Sequence, residues 1–395
     1  VTSYEYDTAG NLIKQTDALG NADTYTYDYA GNATTHTNRK GTVYENTYDI
    51  FGLTSTKAIG TGTSYEKLDY EYTPIGKVSS ITLSNQSISM RSRVSYIYDT
   101  FGRPVQKIDE NGDNDSKYLI DYTFDNNSNT TGYVLKMRHW EETDDGDIET
   151  YETKATAAYQ YNSLNRLTQS NFNGKIYLYS YDSFGQMTSK TGGGITTDYT
   201  YSDGGLPTAL ISKKGDTVIQ NSTFGYRLDG NKVSDSDAVT HLNRYYTYDS
   251  NGRMITESPI CTSSRRYEYD ERGNRTRYFD SYKTIQYTYD LNNRLLQENV
   301  TDHSNGDEVT NIRYTHDNSG NMIRRRIMAD ETSSRSMEIY AYDLFGRYRY
   351  YRNTANADTA RYTYNAEGLR TTRETNGKTT RYVWDGANMI FDHTE

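Results

Sequence analysis

Aspartate is the residue whose placement in this sequence most readily suggests chemistry, because it recurs at one position of a short pattern, Tyr-x-Tyr-Asp-x-x-Gly. A recurring aspartate could be a catalytic acid or a turn residue. An enzyme needs a catalytic acid once or twice, and here it returns eleven times, so we interpret it as a turn residue that accepts backbone hydrogen bonds. The eleven are Asp7, Asp28, Asp49, Asp99, Asp182, Asp249, Asp270, Asp290, Asp317, Asp343 and Asp385.

Two acidic stretches, at 109–115 and 144–147, offer clustered oxygen ligands that suggest calcium. An EF-hand loop needs glycine at its sixth position, and counting from Asp109 that position is Asn114. We therefore interpret both stretches as solvated loops, with calcium as the alternative. The six histidines show no metal-ligand spacing. The sequence predicts neither a metal nor a cofactor.

Nucleophilic catalysis finds no support in the sequence. A Gly-x-Ser-x-Gly elbow is absent. Cys261 is the single cysteine, no neighbouring element supports it as a nucleophile, and it cannot form an internal disulfide. The Gly192-Gly193-Gly194 run lacks the pattern of a phosphate loop and is typical of a turn. The sequence therefore predicts a protein that is not an enzyme.

The elements that carry the aspartates are repeats, with seven clear copies of the pattern and ten degenerate ones among 395 residues. Successive copies mostly lie 20–26 residues apart, and the chain is predicted to be one array of about seventeen units. The motif residues predicted to be structural are Tyr6, Asp7, Gly10, Tyr27, Asp28, Gly31, Tyr48, Asp49, Gly52, Tyr98, Asp99, Gly102, Tyr181, Asp182, Gly185, Tyr248, Asp249, Gly252, Tyr269, Asp270, Gly273, Tyr342, Asp343 and Gly346.

Each unit has the pattern of a β-hairpin. Aromatic residues two positions apart, such as Tyr25 and Tyr27, lie on one face of a strand. Asp-x-x-Gly matches a type I turn followed by a glycine bulge, and a second, looser turn such as 18–21 closes the repeat. Two strands of about six residues account for the period. We expect an all-β fold of tandem antiparallel hairpins that stack edge to edge.

One step is longer than the others, with 37 residues between the anchors Phe124 and Tyr161. It contains a polar stretch and an acidic stretch within residues 125–158. Because the repeats resume unchanged, we interpret this insertion as a longer hairpin or a surface loop rather than a domain boundary.

The bulk composition limits the partners of the chain. A net charge of -10 and a pI of about 5.2 argue against nucleic acid, whose partners carry clustered basic charge. No apolar run approaches the roughly 18–20 residues of a membrane helix. Hydrophobic residues are only 34%, but 42 tyrosines distinguish the chain from disordered proteins. We interpret the tyrosines as the packing ladder of the sheet, and rows of exposed rings that bind sugars are the alternative.

The repeated Tyr-x-Tyr-Asp-x-x-Gly-Arg/Asn pattern resembles the YD repeats of the RHS family, which includes bacterial wall-associated proteins, shells of toxin complexes and teneurins. The resemblance covers essentially the whole chain, and its most specific copies are YTYDYAGN, YIYDTFGR, YEYDERGN and YAYDLFGR. The last unit, at 381–395, resembles the segment that leads into the RHS-associated core. That core and the variable C-terminal toxin are not in this sequence, so we expect a fragment of a longer protein.

The resemblance implies a continuous spiral sheet that forms part of a hollow β-shell. By the same resemblance, the chain is a non-catalytic wall segment of a secreted or cell-surface protein, and its partner is its own C-terminal toxin or core domain. The alternative is a repeat module for adhesion that binds carbohydrates or cell-surface glycans. Choline- and glucan-binding repeats use Gly-Trp pairs, and neither Trp140 nor Trp384 follows a glycine.

Overall fold

A computed structural model describes residues 1–61, 64–88, 90–112, 115–143, 146–259 and 263–394. Cys261 lies outside the described residues, as do Asp113, Asn114, Asp144 and Asp145 of the two acidic stretches.

The described residues form one antiparallel sheet of 34 strands, twice the seventeen units counted in the sequence. The first seventeen strands are β1 (Ser3–Tyr6), β2 (Leu12–Thr16), β3 (Ala22–Tyr27), β4 (Ala33–Thr37), β5 (Val43–Tyr48), β6 (Thr54–Thr61), β7 (Ser64–Tyr72), β8 (Val78–Asn85), β9 (Ser92–Tyr98), β10 (Pro104–Asn111), β11 (Ser116–Phe124), β12 (Thr130–Thr143), β13 (Gly146–Tyr161), β14 (Leu167–Phe172), β15 (Lys175–Tyr181), β16 (Met187–Gly192) and β17 (Ile195–Tyr201).

The other seventeen strands are β18 (Pro207–Lys214), β19 (Thr217–Tyr226), β20 (Lys232–Asp237), β21 (Leu242–Tyr248), β22 (Met254–Pro259), β23 (Arg265–Tyr269), β24 (Arg275–Phe279), β25 (Lys283–Tyr289), β26 (Leu295–Asp302), β27 (Glu308–His316), β28 (Met322–Met328), β29 (Ser334–Tyr342), β30 (Tyr348–Asn353), β31 (Thr359–Tyr364), β32 (Arg370–Thr375), β33 (Lys378–Asp385) and β34 (Asn388–Thr394). One short 3₁₀-helix, His303–Asn305, lies between β26 and β27.

Each strand pairs with the strand that follows it in the chain, so the sheet is a simple meander that does not close on itself. The all-β prediction is confirmed. In the part of the chain that the structure describes, no helix is long and apolar enough to cross a membrane.

The two faces of the sheet differ in their burial. In β3, Tyr25 and Tyr27 are half-buried and the intervening Thr26 is exposed. The hydroxyl groups of such threonines pair across strands on the exposed face, as in the Thr26–Thr35 contact of 2.6 Å. In this hairpin, tyrosine therefore provides the packed face and threonine the solvated face.

The long 37-residue step forms the longest hairpin of the sheet, made of β12 and β13. Its base packs in a hydrophobic cluster that includes Leu135 and Ala155, while residues near its tip, such as Trp140, are exposed. The polar residues of the insertion thus extend an existing hairpin beyond the edge of its neighbours.

Candidate functional site: the repeat turns and the seam between windings

The motif turn, which we define as the Asp-x-x-Gly tetrad of each unit, has one repeated geometry. In the first unit, Gly10 N donates to Asp7 O at 3.1 Å, and Asp7 N donates to Asn11 O at 2.9 Å. Asp7 Oδ1 accepts from the amides of Ala9 and Asn11, both at 2.9 Å. Gly10 has a φ of 90°, in the left-handed region that glycine adopts without strain. The strand pairing also shifts register at Tyr6, as a type I turn with a bulge requires.

The other predicted motif residues occupy equivalent turns. Every predicted motif glycine has a positive φ, and its amide donates to the carbonyl oxygen of the motif aspartate at 2.9–3.2 Å. At the degenerate copies, Asn162 and Asn365 take the place of aspartate and accept the same backbone bonds.

The second tyrosine of the motif joins most units to the preceding one, a role that sequence reasoning missed. Tyr27 donates its hydroxyl hydrogen to Leu12 O at 2.7 Å, and Leu12 lies two residues after the preceding motif glycine. Tyr48 donates in the same way to Ala33 O at 2.8 Å. The same bond is made by Tyr72, Tyr98, Tyr161, Tyr181, Tyr201, Tyr248, Tyr269, Tyr289, Tyr342 and Tyr364, and by the indole nitrogen of Trp384. The preference for tyrosine over phenylalanine at this position was the available signal.

We expect loss of one of these hydroxyl groups to destabilise the sheet locally. Replacing Tyr98 by phenylalanine removes the 2.7 Å bond to Val78 O and leaves that carbonyl without this donor. The expected cost is about 1 kcal/mol, measured by native-state hydrogen exchange of β8 and β9. Tyr6→Phe is the matched control, because Tyr6 lies in the first strand and is 59% exposed. Equal effects of the two substitutions would contradict the assigned role.

Arginine after the motif glycine makes a second bridge, this time to the following unit. Arg253 binds the Oδ2 atom of its own Asp249 through Nε at 2.7 Å and donates through Nη1 to Asp270 O at 2.9 Å. Its guanidinium also lies 4.9 Å from the centre of the Tyr269 ring. Arg103 repeats the three contacts with Asp99, Asp125 and Phe124. In these units the motif turn is therefore tied to both of its neighbours.

Asparagine replaces arginine in other units and affects the motif aspartate directly. The side-chain hydrogen bond from Asn32 holds the pKa of Asp28 below its ordinary value, and Asn274 does the same for Asp270. A lowered pKa means that folding favours the ionised aspartate. The stabilisation is present above the ordinary pKa of 3.8 and is lost as the pH falls through the lowered pKa.

We therefore expect the doubly substituted variant D28N/D270N to be less stable than the parent at neutral pH. The difference should shrink below about pH 4, where the parent aspartates take up protons. Asparagine is compatible with the motif turn, as Asn162 and Asn365 show. Denaturant midpoints measured between neutral pH and strong acid give the test, and a difference that stays constant over this range would contradict it.

The sheet also winds back onto itself. Side chains early in the chain contact residues that lie 256–300 positions later. Asn292 donates to Asp17 Oδ2 at 2.8 Å, and Lys40 pairs with Asp317 at 3.2 Å. We call the stretch from Asp17 to Leu135 the first winding, the stretch from Asn292 to Ile390 the second winding, and the contact between them the seam. In both pairs, a motif turn of the second winding contacts a looser turn of the first.

The middle of the seam is a buried polar network. The Lys107 side chain is 2% exposed and pairs with Glu367 at 2.6 Å. Asn365 donates to Asp109 Oδ2 at 2.8 Å, Ala366 N donates to Ser92 Oγ at 3.1 Å, and the Tyr96 hydroxyl donates to Glu367. Motif residues of the unit YNAEGL thus bind two strands of the first winding, β9 and β10.

Burial controls the titration of this network. It raises the pKa of Asp109 to about 6, although Lys107 and Asn365 oppose the shift and Glu367 and Glu110 add to it. The ionised form of Asp109 is therefore disfavoured by folding, and its effect on stability has the opposite sign to that of the motif aspartates. Burial also raises the pKa of Tyr96, with a further contribution from its hydrogen bond to Glu367.

Two hydrophobic clusters flank this network. Val383 and Ile390 of the last hairpin pack with Leu135 and Ile120 of the first winding. The second cluster joins Ala366 of the second winding to buried residues of the first, Leu68, Leu83 and Val94. Both of these hydrophobic clusters of described residues therefore lie at the seam.

The described ends of the first acidic stretch, which suggested calcium in the sequence, bind other parts of the protein. Asp109 lies in the seam, and Asp115 pairs with Arg138 at 2.5 Å, so the described ends of the first acidic stretch have protein partners. Among the described residues, no group of three or more His, Cys, Asp or Glu side chains could hold a metal ion. The site defined by this geometry is a wall made of repeated turns, with a seam between its windings.

Comparison with known proteins finds a repeat family, two relatives and two solved structures that are similar to this chain. The profile of the RHS Repeat family matches residues 2–43. The tRNA3(Ser)-specific nuclease WapA of Bacillus spizizenii and the tRNA nuclease WapA of Bacillus subtilis are each 26% identical over 238 residues. These alignments cover 57% of this chain and 9% of each relative, so the chain matches only a small part of their length.

Two solved structures share the fold. A Tc holotoxin pore of Photorhabdus luminescens superposes with a TM-score of 0.59 and 15% identity, over 100% of this chain and 22% of that one. A TcdB2–TccC3 structure gives 0.51 and 16%, over 98% of this chain and 24% of that one. The resemblance found in the sequence is confirmed: the chain is similar to proteins of the RHS/YD-repeat type in sequence and in fold.

Proposed function

We propose that this chain is a non-catalytic wall segment of a β-shell that encloses a C-terminal toxin or effector of the same polypeptide. One observation carries the proposal: the second winding docks on the first through buried contacts, so that successive windings form a continuous wall. Such packing of turn against turn is needed in a container and is unnecessary in a flat binding array. The fold shared with the Tc proteins supports the same role.

The seam has the properties expected of a barrier. Lys107, Asp109 and Asn365 are buried in a network whose members each have a protein partner, and apolar clusters lie on both sides of it. A wall of this kind needs no catalytic group. We propose a secreted or cell-surface location for the whole protein and no role for nucleic acid as a ligand of the wall.

The test is limited proteolysis of the full polypeptide that the gene encodes. We expect a C-terminal product that resists protease while the shell is folded and becomes cleavable when Lys107→Met opens the seam. A polypeptide with no region after the repeats, or one whose later region is cleaved equally fast with and without the intact seam, would contradict the proposal. The isolated later region provides the reference cleavage rate.

A further inference from the structure

A crevice of about 770 Å³ lies between the two windings, next to the polar network of the seam. Its walls are the looser-turn ends of β7 and β8 in the first winding and the motif-turn ends of β29 to β31 in the second. This volume lies within the roughly 300–1,000 Å³ typical of sites for small molecules. The crevice therefore has the size of a binding site.

The charges around the crevice are not balanced. Four arginines and two carboxylates line it, which leaves an excess of two positive charges (four minus two). Arg91 pairs with Glu66 at 2.6 Å, and Arg347 pairs with Asp343 at 2.6 Å. The other two arginines are thus the ones available to a ligand.

Those two arginines, Arg349 and Arg361, are poorly neutralised by carboxylates of the protein. Among the residues that the structure describes, Arg349 makes no ion pair with a carboxylate, and Arg361 reaches Glu374 only at 3.8 Å with 69% of its side chain exposed. Guanidinium groups bind carboxylates through paired hydrogen bonds. Two of them on neighbouring strands suit a ligand that carries a carboxylate.

Glu66 supplies the complementary acceptor. Its Oε1 atom is held by Arg91, whereas Oε2 is buried and has no hydrogen-bond partner among the described residues. A buried acceptor without a donor costs free energy. A ligand hydroxyl group would donate a hydrogen bond to this oxygen. The crevice is therefore complementary to a molecule that carries both a hydroxyl group and a carboxylate.

Tyrosine rings complete the lining, with Tyr65 from the first winding and Tyr350 and Tyr362 from the second. An aromatic face packs against the apolar C–H face of a sugar ring, and its hydroxyl group remains available for a hydrogen bond. The strands that line the crevice are paired on both sides. A peptide would therefore find no free sheet edge for its backbone here.

We propose that this crevice binds an acidic saccharide, with a uronic acid carboxylate on Arg349 and Arg361 and a hydroxyl group on Glu66. The assignment concerns a ligand of the wall and is independent of what the wall encloses. The bound sugar would contact both windings at once, so it would also stabilise the seam.

The test is calorimetric titration of the full chain with a galacturonate trisaccharide, a neutral galactose trisaccharide and a hexaglutamate peptide. We expect the acidic saccharide to bind and the neutral one to bind about tenfold more weakly or worse. Arg349→Gln and Arg361→Gln should each weaken binding of the acidic saccharide severalfold. Arg352→Gln is the matched control, because Arg352 is an exposed arginine on the same strand as Arg349 and lies outside the crevice.

Thermal unfolding of each variant checks that the sheet is intact. Equal binding of the two saccharides, absence of saccharide binding, or an equal loss in the Arg352 control would overturn the proposal. Binding of hexaglutamate as tight as that of the acidic saccharide would also overturn it and assign the crevice to acidic peptides. Higher salt should weaken the expected complex, since its recognition is electrostatic.

Discussion

Replacing Lys107 by methionine is expected to lower the free energy of opening of the seam by about 3–5 kcal/mol, the usual cost of removing one partner of a buried ion pair. Methionine keeps most of the side-chain volume and removes the charge. Glu367, which is 19% exposed and receives a 2.6 Å bond from Lys107, would lose its cationic partner. The loss should be local to the seam, because the hairpins on either side keep their own hydrogen bonds.

Native-state hydrogen exchange is the suitable measurement, since it reports the opening of each segment separately. The amides around Ala366 should exchange faster in the variant, while those of β20 to β22, which have no part in the described seam contacts, should be unchanged. Lys67→Met is the matched control. It removes an ion pair of equal length, 2.6 Å, whose side chains are 35% and 39% exposed, and the expected cost is about 0–1 kcal/mol. Similar losses in both variants would show that the seam does not depend on the buried pair.

Leu135→Ala is expected to destabilise the contact between the long hairpin and the last hairpin by about 2–5 kcal/mol. Leu135 is fully buried, with 0% exposure, in the cluster that contains Val383 and Ile390. The substitution leaves a cavity on the first-winding side of this contact. Strands β33 and β34 should therefore exchange their amides faster and become the first site of protease cleavage.

Leu164→Ala provides the control for this variant. Leu164 lies in a motif turn and is 66% exposed, so its truncation removes little buried surface. We expect a change of less than about 0.5 kcal/mol. A faster exchange of β33 and β34 in both variants, or in neither, would contradict the role assigned to Leu135 in holding the last hairpin against the long hairpin.

The sequence predicts the hairpin better than it predicts the wall. Asp-x-x-Gly specifies the motif turn through contacts within five residues, such as Asp7 with Asn11. The alternation of Tyr25, Thr26 and Tyr27 likewise specifies the two faces of a strand. These features depend on local geometry, so they can be derived from one unit without knowledge of the others.

The tyrosine hydroxyl bond was not predicted, because the pattern suggested a ring that packs rather than a hydroxyl group that donates. Its acceptor is a backbone carbonyl in the preceding unit, which no residue type marks. The seam was also beyond sequence reasoning. Its position depends on the twist and curvature accumulated over about two dozen strands, and the partners Lys107 and Glu367 are 260 residues apart. The sequence consequently predicts a solvated loop at Asp109, whereas in the structure the second winding buries this residue.

The direction of the tyrosine hydroxyl bond has a consequence for synthesis on the ribosome. The acceptor always precedes its donor in the chain, by 15 residues for Tyr27 and 20 for Tyr98. When a new hairpin emerges from the ribosome, the backbone carbonyl that accepts its tyrosine hydrogen bond is therefore already in place. The sheet can then grow one unit at a time in the direction of synthesis. Lys107, in contrast, gains its partner Glu367 only after another 260 residues have been synthesised. Until then, the charge of this lysine remains in water.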